Sequence, residues 1–135
     1  MPLSIDSALG PMPDALILRG RRSEVIASNL ANADTPNFKA RDFDFQAMMK
    51  MARSDQVALS TTNSQHIAIN GAGGIADIGG ESLQYRNPNQ PSLDGNTVDT
   101  QTEQAAFSEN AVKYQATLMF LSGRIKGLMT AIRGE

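Results

Sequence analysis

The sequence has no cysteine, no tryptophan and one histidine, His66, and its 135 residues include only two tyrosines and five phenylalanines. Without cysteine there is no disulfide scaffold, no thiolate nucleophile and no thiolate-ligated zinc or iron–sulfur site. His66 lies in a polar stretch and reads as a solvated residue, and no His-x-x-x-His or Glu-x-x-His spacing accompanies it. No run approaches the ~18 apolar residues of a membrane span. The opening "MPLSIDSALGPMPDALILRG" has neither the basic start nor the long apolar centre of a secretory signal, so any export is expected to proceed without a cleaved signal peptide. Basic blocks are also missing. The net charge is −2 and the twelve basic residues are scattered, with Arg19, Arg21 and Arg22 the one local cluster, read as a solvated helix face. Nucleic acid is therefore not an expected partner.

The weaker chemical motifs fall short in the same way. Gly71-Ala72-Gly73-Gly74 lacks the Lys-Ser or Lys-Thr of a phosphate loop. Asp42 and Asp44 read as a solvated acidic edge, and Asp94-Gly95-Asn96 as a turn before a helix rather than a calcium loop. No catalytic residue, metal, cofactor or small-molecule substrate is expected, and the chain is not expected to be an enzyme. The shortage of aromatics has a positive implication. The apolar fraction is 41%, but much of it is alanine, so core volume is scarce and burial is expected to be completed against other chains.

What is present falls into zones of one 135-residue domain. A helical stripe through Leu16, Ile26, Leu30 and Ala33 predicts an N-terminal helix over about 13–34, with Pro11 and Pro13 at its start and an interruption at Gly20. Residues 3–10 read as a separate short turn. Residues 35–53 read as a turn and a short segment in which 42–51 is a helix or an extended piece turning helical. The stretch 54–96, rich in Gly, Ser, Asn, Gln and Pro, reads as a long irregular loop, with a strand conceivable at His66-Ile67-Ala68-Ile69. The strongest signal follows. Phe107, Ala111, Tyr114, Leu118, Leu121, Ile125, Leu128 and Ile132 are spaced 4, 3, 4, 3, 4, 3, 4, a heptad seam on a C-terminal helix over about 97–133. Thr100-Gln101-Thr102-Glu103 has the form of a capping box for it. The fold class is mainly α, with the N- and C-terminal helices pairing as an antiparallel coiled coil around a long irregular centre. That pair cannot cover its own apolar surface.

Between the helices lies "ASNLANADTPNFKARDFDF", residues 27–45. Asn29 and Asn32 share a helical face with Val25. On composition they read as solvated; in a packed assembly an asparagine amide fixes register by hydrogen-bonding a neighbour. Thr35-Pro36-Asn37-Phe38 predicts a type II or related turn with Asn37 at positive φ, a conformation asparagine tolerates better than other non-glycine residues.

"RSEVIASNLANADTPNFKARDFDF" (22–45) closely resembles the N-terminal signature of bacterial flagellar rod and hook proteins, roughly Ala-Asn-Asn-Ile-Ala-Asn-x-x-Thr-Pro-Gly-Tyr, with Asn37-Phe38 in place of Gly-Tyr. "LQYRNPNQPSLDGNTVDTQTEQAAFSENAVKYQATLMFLSGRIKGLMTAI" (83–132) is similar to the C-terminal half of the proximal rod group. The resemblance implies a structural subunit of the flagellar basal body, exported by the flagellar type III apparatus and assembled helically in the periplasm as drive-shaft and export channel. The implied partners are copies of itself, other proximal rod proteins, the rod–MS-ring adaptor FliE and the export gate. Packing residues on this reading are Val25, Ile26, Asn29, Leu30, Asn32, Pro36, Asn37 and Phe38, with the eight seam residues from Phe107 to Ile132. On composition alone, the rival is a secreted helical translocator or effector-like protein of a type III system.

Overall fold

The computed structural model describes residues 5–54, 83–88 and 92–134. The elements are α1 (Ile5–Leu9), α2 (Met12–Ala31), β1 (Arg41–Asp42), α3 (Phe45–Ser54), β2 (Gln84–Tyr85) and α4 (Thr100–Arg133). The readings made for His66, the possible strand at 66–69 and the glycine run at 71–74 lie outside the described residues.

The N-terminal arm differs from the sequence expectation in three ways. Residues 5–9 are a short helix, and Gly10 at φ 63 turns the chain between α1 and α2. α2 runs through Gly20 without a break, because the cost of one helical glycine, about 1 kcal/mol, is outweighed by packing along the helix. Pro13 is tolerated in the first turn, where its missing N–H would have had no helical acceptor. The helix also stops at Ala31, so Ala33 lies outside it and Asn32 is its C-cap.

α4 begins at Thr100. Asp99 caps it, its carboxylate accepting from the backbone N–H groups of Gln101 (3.1 Å) and Thr102 (3.4 Å), in place of the expected Thr100 box. A carboxylate at this position also meets the positive end of the helix dipole. Gly134 in the left-handed region closes the other end. With 34 residues α4 is about 50 Å long, against about 30 Å for the 20 residues of α2. The two helices pack antiparallel: Asn29 of α2 meets Glu103 early in α4, Arg19 and Ser23 meet Asn110, and α1 packs further along α4. α4 therefore overhangs, and every described residue from Ser122 onward is exposed.

Between the helices, β1 and β2 form a two-residue antiparallel pair, Arg41 opposite Tyr85 and Asp42 opposite Gln84. This pair is too short to show as an alternating apolar pattern, and the sequence reading missed it. Asp44 caps α3 by accepting from Gln46 N (2.8 Å) and Ala47 N (3.2 Å). Among the described residues the buried apolar side chains are Leu18 and Ile26 on α2 and Ala40 and Phe43 on either side of β1.

Candidate functional site

The signature segment is folded by hydrogen bonds to the stretch just before α4. Thr35 to Phe38 make a β-turn closed by Phe38 N to Thr35 O at 3.3 Å, with Asn37 at φ 60 as the sequence predicts. Asn37 N donates to Asp94 O (2.9 Å), so this turn sits on a second one, Ser92 to Gly95, closed by Gly95 N to Ser92 O. Gly95 is at φ 72, a conformation that favours glycine, and a Cβ there would lie 2.6 Å from Asn37 Oδ1, so the Asn37 side chain would have to shift. Asn96 is buried, and its Nδ2 donates to the carbonyls of Asn32 (3.0 Å), Ala33 (2.7 Å) and Thr35 (3.0 Å). One side chain 61–64 residues further along the sequence thus caps the carbonyls just after α2 ends. The zipper continues through Thr97 N to Phe38 O and Ala40 N to Thr97 Oγ1.

The two asparagines of α2 have different roles. Asn29 is buried within the chain: its Nδ2 donates to Arg41 O (2.8 Å) and Glu103 Oε2 (3.3 Å), and its Oδ1 accepts from Arg41 N (3.1 Å). It is neither solvated nor available to a neighbouring subunit. Asn32 is half-buried and its Nδ2 returns to Ser28 O (2.9 Å).

Glu103, 1% exposed, is the centre of a charged cluster. Arg86 donates to Glu103 Oε1 (2.6 Å) and to Asp42 Oδ2 (2.5 Å), and Arg22 forks onto both Asp42 oxygens at 3.2 and 2.9 Å. Four segments, α2, β1, the residue after β2 and α4, are tied by one chain of charge-assisted bonds. Burial pushes the Asp42 carboxyl up, but bonds from Arg22, Arg86 and Phe43 N outweigh it and hold it below the usual carboxylate range. Arg22 is raised by its bond to Asp42. Arg19, over the Phe45 ring at 4.6 Å, is lowered mainly by burial. The expected solvated face of Arg19, Arg21 and Arg22 is therefore corrected: only Arg21, paired with Glu24, is exposed. Asp42 is likewise no solvated edge.

α4 presents two faces. The inner one, toward α2, carries Glu103, Asn110, Tyr114, Thr117 and Leu121, all buried or half-buried. Asn110 Nδ2 donates to Arg19 O (2.8 Å) and Ser23 Oγ (2.7 Å), while its Oδ1 and Arg19 Nε lack partners. The apolar seam is rotated from this face. Ala111, Tyr114 and Leu121 are half-buried, but Phe107, Leu118, Ile125, Leu128 and Ile132 are exposed, with Val112, Met119, Phe120 and Met129 beside them. Among the other residues singled out from sequence, Ile26 is buried, Val25, Leu30 and Phe38 are half-buried, and Pro36 and Asn37 are exposed. Sequence reasoning missed Glu103, Asp42, Arg86 and Asn96, whose signal is long-range pairing rather than local pattern.

A half-open cleft of about 300 Å³ lies beside the cluster, lined by Arg86, Asn87, Thr97, Asp99, Thr102, Glu103 and Ala106. Of its charged members, Arg86 and Glu103 are paired with each other and Asp99 caps α4. Among the described residues no group of three His, Asp or Glu is placed to hold a metal ion, and no helix is long and apolar enough to cross a membrane.

Comparisons with known proteins converge on one family. A family model described as flagella basal body rod protein matches residues 14–39, which cover most of α2 and the Pro36–Asn37 turn. The flagellar basal body rod protein FlgB of Aeromonas hydrophila is 44% identical over 137 aligned residues, spanning 100% of this chain and 99% of that protein. FlgB of Cereibacter sphaeroides is 51% identical over 94% of each chain. FlgB of Escherichia coli K12 is 47% identical over 96% of this chain and 95% of its own length.

Proposed function

The chain belongs to the FlgB family of flagellar basal body rod proteins, and from that premise we propose that it is a proximal rod subunit that builds a helical tube through the outer face of α4. The observation that carries this reading is the placement of the heptad seam. Phe107, Leu118, Ile125 and Leu128 are 38–44% exposed and Ile132 86% exposed, on a helix that overhangs its partner within the chain. A monomer leaves such a strip uncovered only at a cost in solubility, whereas a polymer buries it on every copy. The tube serves as drive-shaft and export channel in the periplasm. The subunit reaches it through the flagellar type III system without a cleaved signal peptide. Its neighbours are other copies, the other proximal rod proteins, the adaptor FliE and the export gate. The role is structural rather than catalytic.

The test is Leu128→Asp. The side chain is partly exposed in the subunit, so the change should shift subunit stability by no more than about 0.5 kcal/mol. In the assembly it would bury an unpaired charge, at a cost of several kcal/mol. The expected outcome is a secreted, foldable subunit in non-motile cells that lack rods. Normal motility would overturn the reading.

A further inference from the structure

Among the residues by which α4 meets the N-terminal arm, the polar ones repeat every seven, Glu103, Asn110, Thr117 and Arg124, with Tyr114 and Leu121 half-buried between them. Glu103 bonds Asn29 and Arg86, and Asn110 bonds Arg19 O and Ser23. Thr117 is half-buried with its hydroxyl returned to Lys113 O, and the Arg124 guanidinium approaches Gly10. A stripe with a heptad period is the contact line of a two-helix coil. Here it holds four different polar residues, while Phe107, Leu118, Ile125, Leu128 and Ile132 of the apolar heptad stay exposed.

We propose that this stripe, and above all the Glu103–Asn29 and Asn110–Ser23 contacts, is a register code that fixes the axial position of α4 on α2. Apolar contact lines tolerate sliding, because leucine against leucine is similar one heptad on. The polar stripe does not. A slide of one heptad in one direction sets the Glu103 carboxylate against the Arg19 carbonyl and leaves Arg86 and Asn29 without it. A slide in the other direction puts the Asn110 amide where Arg86 needs a carboxylate. Each leaves buried polar groups unsatisfied, the condition under which buried polar contacts specify one alignment. The signature asparagine Asn29 is thus a positioning residue inside the subunit. The consequence for assembly, that every copy presents its apolar strip at the same height, rests on the function proposed above; the register does not.

The absence of native cysteine permits a direct measurement. Spin labels at Ala27→Cys on α2 and Ser122→Cys on α4, both exposed positions, report the axial offset by electron–electron double resonance on the full chain. One heptad of sliding moves the labels by about 10 Å along the axis and one turn by about 5 Å. The labelled parent should give one narrow distance. Adding Asn29→Leu, Glu103→Leu and Asn110→Leu together keeps the contact line buried but removes its code. The result expected is retained helix content and a second distance population of at least a tenth. If that variant loses its helix content, Asn110→Leu with Thr117→Leu, which leaves the charged cluster intact, should broaden the distribution by at least one turn. A broad parent distribution, or an unchanged narrow one in whichever variant stays helical, would overturn the proposal. Motility plays no part in this measurement, so loss of the assembly reading leaves it standing.

Discussion

Asn96 offers the sharpest test of how the signature segment is held. Its Nδ2 lies 2.7–3.0 Å from three carbonyl oxygens at the end of α2, and its Oδ1 accepts from Val98 N at 2.8 Å. Asn96→Ala removes all four contacts. Thr35 is exposed and water can take over its carbonyl, but Asn32, Ala33 and Val98 are half-buried. At about 1 kcal/mol for each bond lost and up to 3 for a group left unsatisfied, the cost is about 2–4 kcal/mol. Asn96→Asp is the discriminating variant. It keeps the shape and the acceptor but turns a carboxylate toward three carbonyls, so near pH 7 it should be less stable than Asn96→Ala by at least ~1 kcal/mol. Burial against three carbonyls raises the folded-state pKa of that carboxyl, and protonation restores one donor, so the gap between the two should narrow as pH falls through the raised value and stop narrowing below the unfolded value of about 4. Urea unfolding of the full chain, followed by far-UV circular dichroism, measures both midpoints, and an unchanged slope shows that the unfolded states are comparable. If Asn96→Asp matches or exceeds Asn96→Ala at neutral pH, the three-carbonyl cap does not hold the turn.

Three other outcomes are expected. Asn37→Gly should be tolerated and Asn37→Val should cost ~1–2 kcal/mol by urea unfolding and impair motility, since φ is 60 there and a β-branched residue strains at positive φ; equal midpoints for the two would contradict this. Asp42 has its folded-state pKa depressed, so its stabilisation is present above its unfolded value near 4 and is lost as pH falls through the lower folded value; Asp42→Asn should flatten the acid limb of melting temperature against pH, and an unaltered limb would count against the cluster. Asn29→Ala should cost about 2–4 kcal/mol and Asn32→Ala no more than about 1, because the first amide is buried and bonded to Arg41 and Glu103 whereas the second makes only exposed local bonds, donating to Ser28 O and accepting from Thr35 Oγ1; the reverse order in urea midpoints would refute the division between them.

Much of the architecture is legible in local pattern. The heptad from Phe107 to Ile132 marks a long helix, and Thr35-Pro36-Asn37 marks a turn whose φ follows from steric limits alone. The face on which α4 meets α2 is not legible in that way. Hydrophobic periodicity locates the apolar stripe but does not say what it faces. In this chain the partner helix takes the polar stripe and leaves much of the apolar one outside. Glu103 looks like the last residue of a capping box, and it does stand in the first turn of α4. Its actual partners, Asn29 and Arg86, are 74 and 17 residues away. Such pairings leave no periodic trace, and the same holds for Asn96 and the two-residue strands.

The arrangement is coherent in a subunit whose apolar surface belongs to an assembly. If the apolar seam of α4 closed on α2, the folded monomer would have the larger core and little left to offer a neighbour. A largely polar stripe inside, with five of the eight seam residues left exposed, shifts that allocation toward the neighbour. A buried carboxylate is a poor source of net stability even when paired, since its desolvation offsets most of what Arg86 supplies. It is a good source of alignment, because a misplaced Glu103 is far more costly than a misplaced leucine. A chain with Leu18, Ile26, Ala40 and Phe43 as its buried apolar core among the described residues therefore folds to one register with little stability to spare. Amide exchange on the free subunit should show this: protection around Leu18–Asn29 and Glu103–Thr117, and rapid exchange through the overhang from Ser122. Uniform protection to Arg133 would mean that the overhang is stabilised within the monomer, and that its apolar face is not held in reserve for neighbours.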